Sequence, residues 1–250
     1  SYPEMKECFG FTLDQYLFYG GYPGAADLIN EADRWEQYIQ SAIIDATINK
    51  DILMNTPISK PALLRQTFEL GASYSGELLS LNKMLGSLQD AGNTVTLAGY
   101  INLLDESGLL CGLQKYSNDT ARRRASIPKF QVYNNALKIV YNPNTFDQAI
   151  MDRKEWGRIF ESGIGAWIVS QAFVHRIEVF YWRELDDEVD FILRKKGTVV
   201  AIEVKSNAEK NTKGLNEFRD KFKPKSAFIV GDGGISAEEF LSMDIRTLFK

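Results

Sequence analysis

The stretch Thr198-Val-Val-Ala-Ile-Glu-Val-Lys205 constrains this chain more than any other. Its β-branched residues predict a strand. In a strand, Glu203 and Lys205 share one face and Val204 takes the other. Two similar runs precede it, Val179–Trp182 and Glu188–Arg194, set apart by Leu185-Asp-Asp187 and Lys195-Lys-Gly197. The second of these turns is tight, so the last two runs are expected to pair antiparallel, which brings Asp190 towards Glu203. A helix is expected over Trp156–Phe173, a basic helix over 211–222, and a further strand over Ser226–Val230. Helix, meander, helix and strand together predict a mixed sheet with helices on its faces, an α+β or α/β fold.

Two carboxylates held side by side repel each other unless a positive charge lies between them. Oxygen ligands suit a divalent ion such as Mg²⁺, which takes few protein carboxylates and keeps several waters. Asp190 and Glu203 are therefore the candidate metal ligands. Lys205, two residues on, is placed to orient a water or to stabilise charge on a phosphate. Glu161 is the fourth candidate, because it shares a helix face with Gly165, Ile168 and Ala172. The small residues let that face approach a sheet and carry the glutamate inward, where it needs a partner. The bland alternatives are a solvated carboxylate pair at a strand end and a helix-capping or salt-bridging role for Glu161. The acidic run Glu184, Asp186, Asp187 and Glu188 reads as a solvated hairpin tip. His175 reads as a surface histidine, and Trp156, Trp167 and Trp182 as core.

Upstream the pattern is helical. Thr12 is an expected N-cap, and Gly20-Gly-Tyr-Pro23 breaks the helix that follows it. A second helix begins near Asp33, with Trp35, Ile39, Ala42, Ile43 and Ala46 along one stripe. From Pro57 the helices continue to one over Thr94–Ser107, stopped by Gly108. Two strand-like runs follow, Leu109–Tyr116 and Phe130–Tyr133. Helix, turn, helix and a two-stranded wing is the order of a winged helix. Three segments are expected: 1–32, 33–127 and 128–250.

Composition is that of an ordinary globular protein, 44% hydrophobic and 25% charged. No apolar run approaches the roughly 18 to 20 residues of a membrane helix. Cys8 and Cys111 make neither a disulfide framework nor a metal motif, and no signal peptide opens the chain, which points to the cytoplasm. The net charge of −4 hides two basic stretches, Lys115–Lys138 and Lys205–Lys225. Either is a solvated face or a place for a phosphate backbone; Arg122, Arg123, Arg124, Lys210 and Lys213 are the candidate nucleic-acid contacts. The helix over 94–107 carries Asp105 and Glu106 and no basic residue, so it suits a spacer or a protein contact better than DNA.

Asp190 followed by Glu203-Val-Lys205, with a helical Glu161 before them, resembles the PD-(D/E)xK nuclease superfamily. Gly157-Arg-Ile-Phe-Glu161, Tyr181-Trp-Arg183, Glu188-Val-Asp190-Phe and Ile202-Glu-Val-Lys-Ser206 resemble the C-terminal domain of a large group of bacterial and archaeal AAA-type ATPases. Gly20-Gly-Tyr-Pro23 resembles the segment where the ATPase lid of that group ends. The resemblance implies that 1–32 is a helical remnant of the lid, 33–127 a helical and winged-helix domain, and 128–250 a restriction-endonuclease-like domain. It departs from the pattern at Val189, where proline is usual, and at Tyr133-Asn134-Asn135, where an aspartate is frequent. It also implies an upstream ATPase domain. The sequence holds no G-x-x-x-x-G-K-[ST] loop, so ATP is expected to act only through that upstream domain. The expected function is metal-dependent hydrolysis of nucleic acid, DNA before RNA. The alternative is an inactive nuclease fold serving DNA or protein binding for the ATPase.

Overall fold

Near-continuous apolar runs such as Phe191-Ile-Leu193 and Val199-Val-Ala-Ile202 make strands that bury both faces. A computed structural model describes all residues except 90, 91, 120, 122, 124 and 208–211. Its strands are β1 (Leu110–Lys115), β2 (Lys129–Val132), β3 (Glu178–Glu184), β4 (Asp187–Lys195), β5 (Thr198–Lys205) and β6 (Ser226–Gly231). They form one mixed sheet in the order β2-β1-β3-β4-β5-β6. β3, β4 and β5 make the expected antiparallel meander, and β6 adds in parallel to β5. The fold is α+β.

The helices are α1 (Tyr2–Phe9), α2 (Leu13–Tyr19), α3 (Ala32–Tyr38), α4 (Pro61–Ser73), α5 (Leu81–Ser87) and α6 (Thr94–Glu106). After β2 come α7 (Ala136–Ile139), α8 (Phe146–Met151), α9 (Arg153–His175), α10 (Lys213–Phe222) and α11 (Ala237–Ser242). Thr12 caps α2 through the Gln15 amide, and Gly108, at φ 67°, follows α6 in the left-handed conformation. After α3 the helix widens into π turns over Ile39–Asp45 and Thr47–Leu53, which a stripe at 3.6-residue spacing does not foretell.

α9 covers one face of the sheet. Its Ile164, Trp167 and Ile168 share a core with Phe191, Leu193, Val200, Ile202 and Val204. α10 covers the other, setting Leu215 and Phe218 against Trp182, Ile192 and Ala201. Leu17 of α2 and Tyr2 of α1 join the α9 core, and Tyr2 donates its hydroxyl to Glu238 on α11 at 2.5 Å. Residues 1–32 thus pack directly on the C-terminal part of the chain. The π turns, α4 and α6 build a second core that reaches Leu110, Phe130 and Val132.

β1 and β2 pair antiparallel as a wing does, but the hairpin does not stand free. Gln114 and Lys115 of β1 pair in parallel with Phe180 and Tyr181 of β3, which makes the hairpin the flank of the main sheet. The backbone of Gly76, Glu77 and Leu79 bonds to Pro128 and Phe130 and covers the outer edge of β2. Among the described residues no helix is long and apolar enough to cross a membrane.

Close approach of α9 to the sheet depends on Gly165, as the sequence leads one to expect. A Cβ there would overlap the Gln131 side-chain oxygen and come within 2.6 Å of the Phe191 ring. Gly165→Ala is expected to cost about 1–3 kcal/mol, the range for overpacking a filled core. Gly86 of α5 has nothing within 4 Å of such a carbon, and Gly86→Ala is expected to gain about 0.5–1 kcal/mol. Urea unfolding of the two variants checks both signs.

Candidate functional site

The β4–β5 ladder pairs Phe191 with Ile202, and one further step of that register sets Asp190 opposite Glu203. Asp190 is fixed there, since its Oδ2 accepts the Val204 amide at 2.8 Å. Lys205 turns back to Glu203, with Nζ 2.7 Å from Oε1. The other Glu203 oxygen, Oε2, is buried and has no hydrogen-bond partner. Glu161 enters from α9. All four residues singled out in the sequence line one cleft of about 510 Å³, together with Arg158, Arg183, Asp187 and Glu188.

A fifth charged side chain organises them, and the sequence reading missed it. Lys129, the first residue of β2, is 1% exposed. Its Nζ lies 2.7 Å from Glu161 Oε1, 3.3 Å from Asp190 Oδ1 and 3.5 Å from Glu188 Oε1. The Lys115–Lys138 stretch is therefore not a uniform solvated face. The available signal was a lysine opening a run that is otherwise apolar or uncharged, Phe130-Gln-Val132. Its carboxylate partners stand 32 to 61 positions away, so no local spacing reveals the contact.

A buried polar network holds α9 against β2 and thereby sets the Glu161–Lys129 pair. Ser162, next to Glu161, bonds Ser75 at 2.8 Å and Asn135 at 2.7 Å. Ser75 Oγ in turn accepts the Val132 amide at 3.1 Å. Gln131 donates to the Ser162 carbonyl at 2.9 Å. Such groups are satisfied inside the protein or cost free energy, so the network fixes the register of helix on strand.

Electrostatics follow from this crowding. Burial, then the neighbouring Asp190 charge, pushes the Glu203 carboxyl up to about 8 against the pull of Lys205 and Lys129. Burial and Asp190 likewise push Glu161 up to about 7, opposed by Lys129. Burial alone would lower Lys129, but Glu161, Asp190 and Glu188 outweigh it and raise it above the ordinary lysine value. Lys205 is raised for the same reason, chiefly by its bond to Glu203 overcoming burial. Two lysines thus face four carboxylates, and two of those carboxylates resist ionising.

Among the described residues no group of three or more His, Cys, Asp or Glu side chains is already arranged around a metal position. The donor chemistry nevertheless fits a small hard cation at Asp190 and Glu203. The donors are carboxylate oxygens, one of them without a partner, and the cleft carries surplus negative charge.

The expected nucleic-acid contacts divide. Arg122, Arg124 and Lys210 lie outside the described residues. Arg123 packs its guanidinium over the Phe180 ring, 5.9 Å from the centroid. Lys213 forms an ion pair with Asp187 at 2.8 Å, and Lys221 pairs with Glu184. The acidic run at the β3–β4 turn is only partly the solvated tip expected. Asp187 is buried and Glu188 faces Lys129, because α10 and β2 close over this end of the sheet. Gly214 makes that closure possible, since any Cβ would strike the Glu188 backbone.

Two family models match the chain. One, described as Domain of unknown function (DUF8612), covers residues 10–144, and the other, Domain of unknown function (DUF4143), covers residues 156–240. The second is a domain often found in AAA-ATPase-associated proteins, which agrees with the coarser part of the resemblance. No curated protein and no solved structure matches. The cleft is shared between the two matched regions: Gly76, Glu77 and Leu78 come from the first, as does Lys129 buried behind it, and Glu161, Asp190, Glu203 and Lys205 come from the second.

A pH dependence follows. A carboxyl whose folded pKa is raised favours the folded state while protonated, and this contribution is lost as pH rises through the folded value. Without divalent metal, stability is expected to fall from above the unfolded glutamate value of 4.5 towards about 8, where Glu203 ionises. Melting curves in a chelator between pH 5 and 9 check this, and Glu203→Gln is expected to flatten the slope.

Proposed function

The chain belongs to the family described as Domain of unknown function (DUF8612), and we propose that its C-terminal region, 128–250, is a restriction-endonuclease-like domain that hydrolyses phosphodiester bonds with a divalent metal. The observation that carries this reading is the unpartnered, buried Glu203 Oε2 in the cleft it shares with Asp190 and Lys205. Asp190 and Glu203 would hold Mg²⁺. When bound, Mg²⁺ supplies Lewis acidity and lowers the pKa of an attacking water. Asp190 keeps its place through the Val204 amide on Oδ2, and its Oδ1, which faces Lys129 at 3.3 Å, is the oxygen a metal ion would share with that ammonium. Lys205, tied to Glu203 and a quarter exposed, orients the attacking water and offsets the charge that builds on the phosphate. Glu161 tunes the site through Lys129. The cleft falls within the range of ligand-binding pockets.

In this proposal the helical region with the β1–β2 hairpin is a winged helix built into the sheet. An upstream ATPase domain of the same protein supplies ATP binding, and DNA is the favoured nucleic acid. A cytoplasmic setting suits the two free cysteines. A second reading has its own support. Lys129 already occupies the interior of the carboxylate cluster, as it would in an idle nuclease fold kept for binding DNA or protein.

Cleavage separates the two. Wild-type protein is expected to cut DNA with Mg²⁺ or Mn²⁺ and not in a chelator. Lys205→Ala is expected to lose about 10²–10³-fold in rate, typical for removing one group that stabilises developing charge. Asp190→Asn is expected to abolish cleavage. Wild type that binds DNA yet cuts neither DNA nor RNA with either metal points to the idle module.

Binding has its own test. Replacing Arg122, Arg123 and Arg124 by Ala is expected to weaken DNA binding and flatten its salt dependence, each lost phosphate contact lowering the slope by about 0.9. Thr96→Ala and Asn102→Ala on α6 are expected to leave the slope unchanged. The reverse pattern, in a filter-binding salt series, would assign the contact to α6.

A further inference from the structure

Lys129 is placed as a bound cation would be. Oxygens from three carboxylates, on α9 and on β4, stand 2.7, 3.3 and 3.5 Å from its Nζ. The Phe191 ring lies behind it, 5.2 Å away. At 1% exposure Lys129 is almost wholly withdrawn from solvent. Its strand is held on one side by β1 and on the other by the 76–79 backbone.

Contacts of 2.7–3.5 Å are ammonium lengths, longer than the roughly 2.0–2.6 Å of a divalent ion to oxygen. Glu161 and Glu188 keep 26% and 35% side-chain exposure, so both have room to draw in if the ammonium is removed. Asp190 supplies a rigid third oxygen. The cluster also lies beside the oxygen left unpartnered on Glu203. With all four carboxylates ionised and both lysines charged, the group carries −2, and losing Lys129 makes it −3.

We propose that Lys129 is a resident cation that fills, among Glu161, Glu188 and Asp190, a position otherwise open to a divalent metal ion. Any exchangeable ion is then confined to the Asp190–Glu203 side. The confinement rests on the metal-site reading above, whereas the filled position does not. Two-metal phosphodiesterases hold ions about 3.5–4 Å apart. Here the second positive charge is built into the chain.

Counting Mn²⁺ tests this without reference to activity. Bound Mn²⁺ per chain is measured from the loss of the free-ion electron paramagnetic resonance signal, for wild type and Lys129→Met. The variant is expected to bind one more Mn²⁺ than wild type, and Mn²⁺ is expected to raise its melting temperature by more. Lys129→Arg, which keeps the charge, is expected to match wild type. Equal counts for Lys129→Met and wild type overturn the proposal.

Wild type's own count speaks to the metal-site reading instead. One ion in wild type and two in the variant supports both ideas. None and one supports the resident cation while removing the metal from the native cleft. Should Lys129→Met fail to fold, Lys129→Met/Glu188→Gln removes one charge of each sign and leaves Glu161 and Asp190 as ligands. It too is expected to bind one ion more than wild type. Failure of both variants to fold in Mn²⁺ also overturns the proposal.

Discussion

A lysine ammonium cannot be removed from water alone, and Lys129 is almost completely removed from it. Its three carboxylate partners come from two elements well downstream of β2 in sequence, α9 and β4. The ion cluster therefore dictates which way β2 faces, how deep α9 sits and where β4 begins. Breaking a buried pair by deleting one partner costs about 3–5 kcal/mol, far more than a surface bridge contributes. The surrounding structure reflects that stake. Ser75, Gln131, Asn135 and Ser162 lock helix to strand, and Gly165 lets the two approach. Backbone from 76–79 covers the edge of β2, the strand whose displacement would expose the charge.

What could be read from sequence was what is encoded locally. β-Branched and aromatic residues place β3, β4 and β5 within one or two residues, because a strand buried on both faces is written as a short, nearly continuous apolar run. The tight Lys196-Gly197 turn fixes the antiparallel register that sets Asp190 against Glu203. Thr12, Gly20 and Gly108 mark helix ends through backbone chemistry that only a few residue types supply. Glu161 was legible because Gly165 and Ala172 share its helical face.

What was not legible depends on contacts with no sequence period. The parallel pairing of β1 with β3 joins residues 66 positions apart through two register pairs, Gln114 with Phe180 and Lys115 with Tyr181. Nothing local distinguishes that hairpin from a free wing. The basic stretches were misleading in the same way. A run of lysines and arginines suggests a solvated or phosphate-facing surface. Here Lys129 faces inward, Lys213 pairs with Asp187 and Lys221 with Glu184. Counting charge along the chain cannot reveal which cations are already held by acids across a fold.

The two lysines of the ion cluster divide the work of positive charge by their surroundings. Lys129 is enclosed, bound to three carboxylates and unable to follow a ligand. Lys205 is a quarter exposed and shares one carboxylate, so it can turn towards a group entering the cleft. An enclosed cation sets the charge state of its neighbours, whereas an accessible one responds to an incoming anion. Glu203 sits between these regimes: one oxygen is tied to Lys205, the other is unpartnered, and burial with Asp190 raises its pKa. A cation bound there, as the proposed function requires, would compete with a proton on Glu203 and would relieve its repulsion with Asp190. In the proposed function the same cluster keeps its structural role through Lys129 and leaves its chemistry to the Asp190–Glu203–Lys205 side.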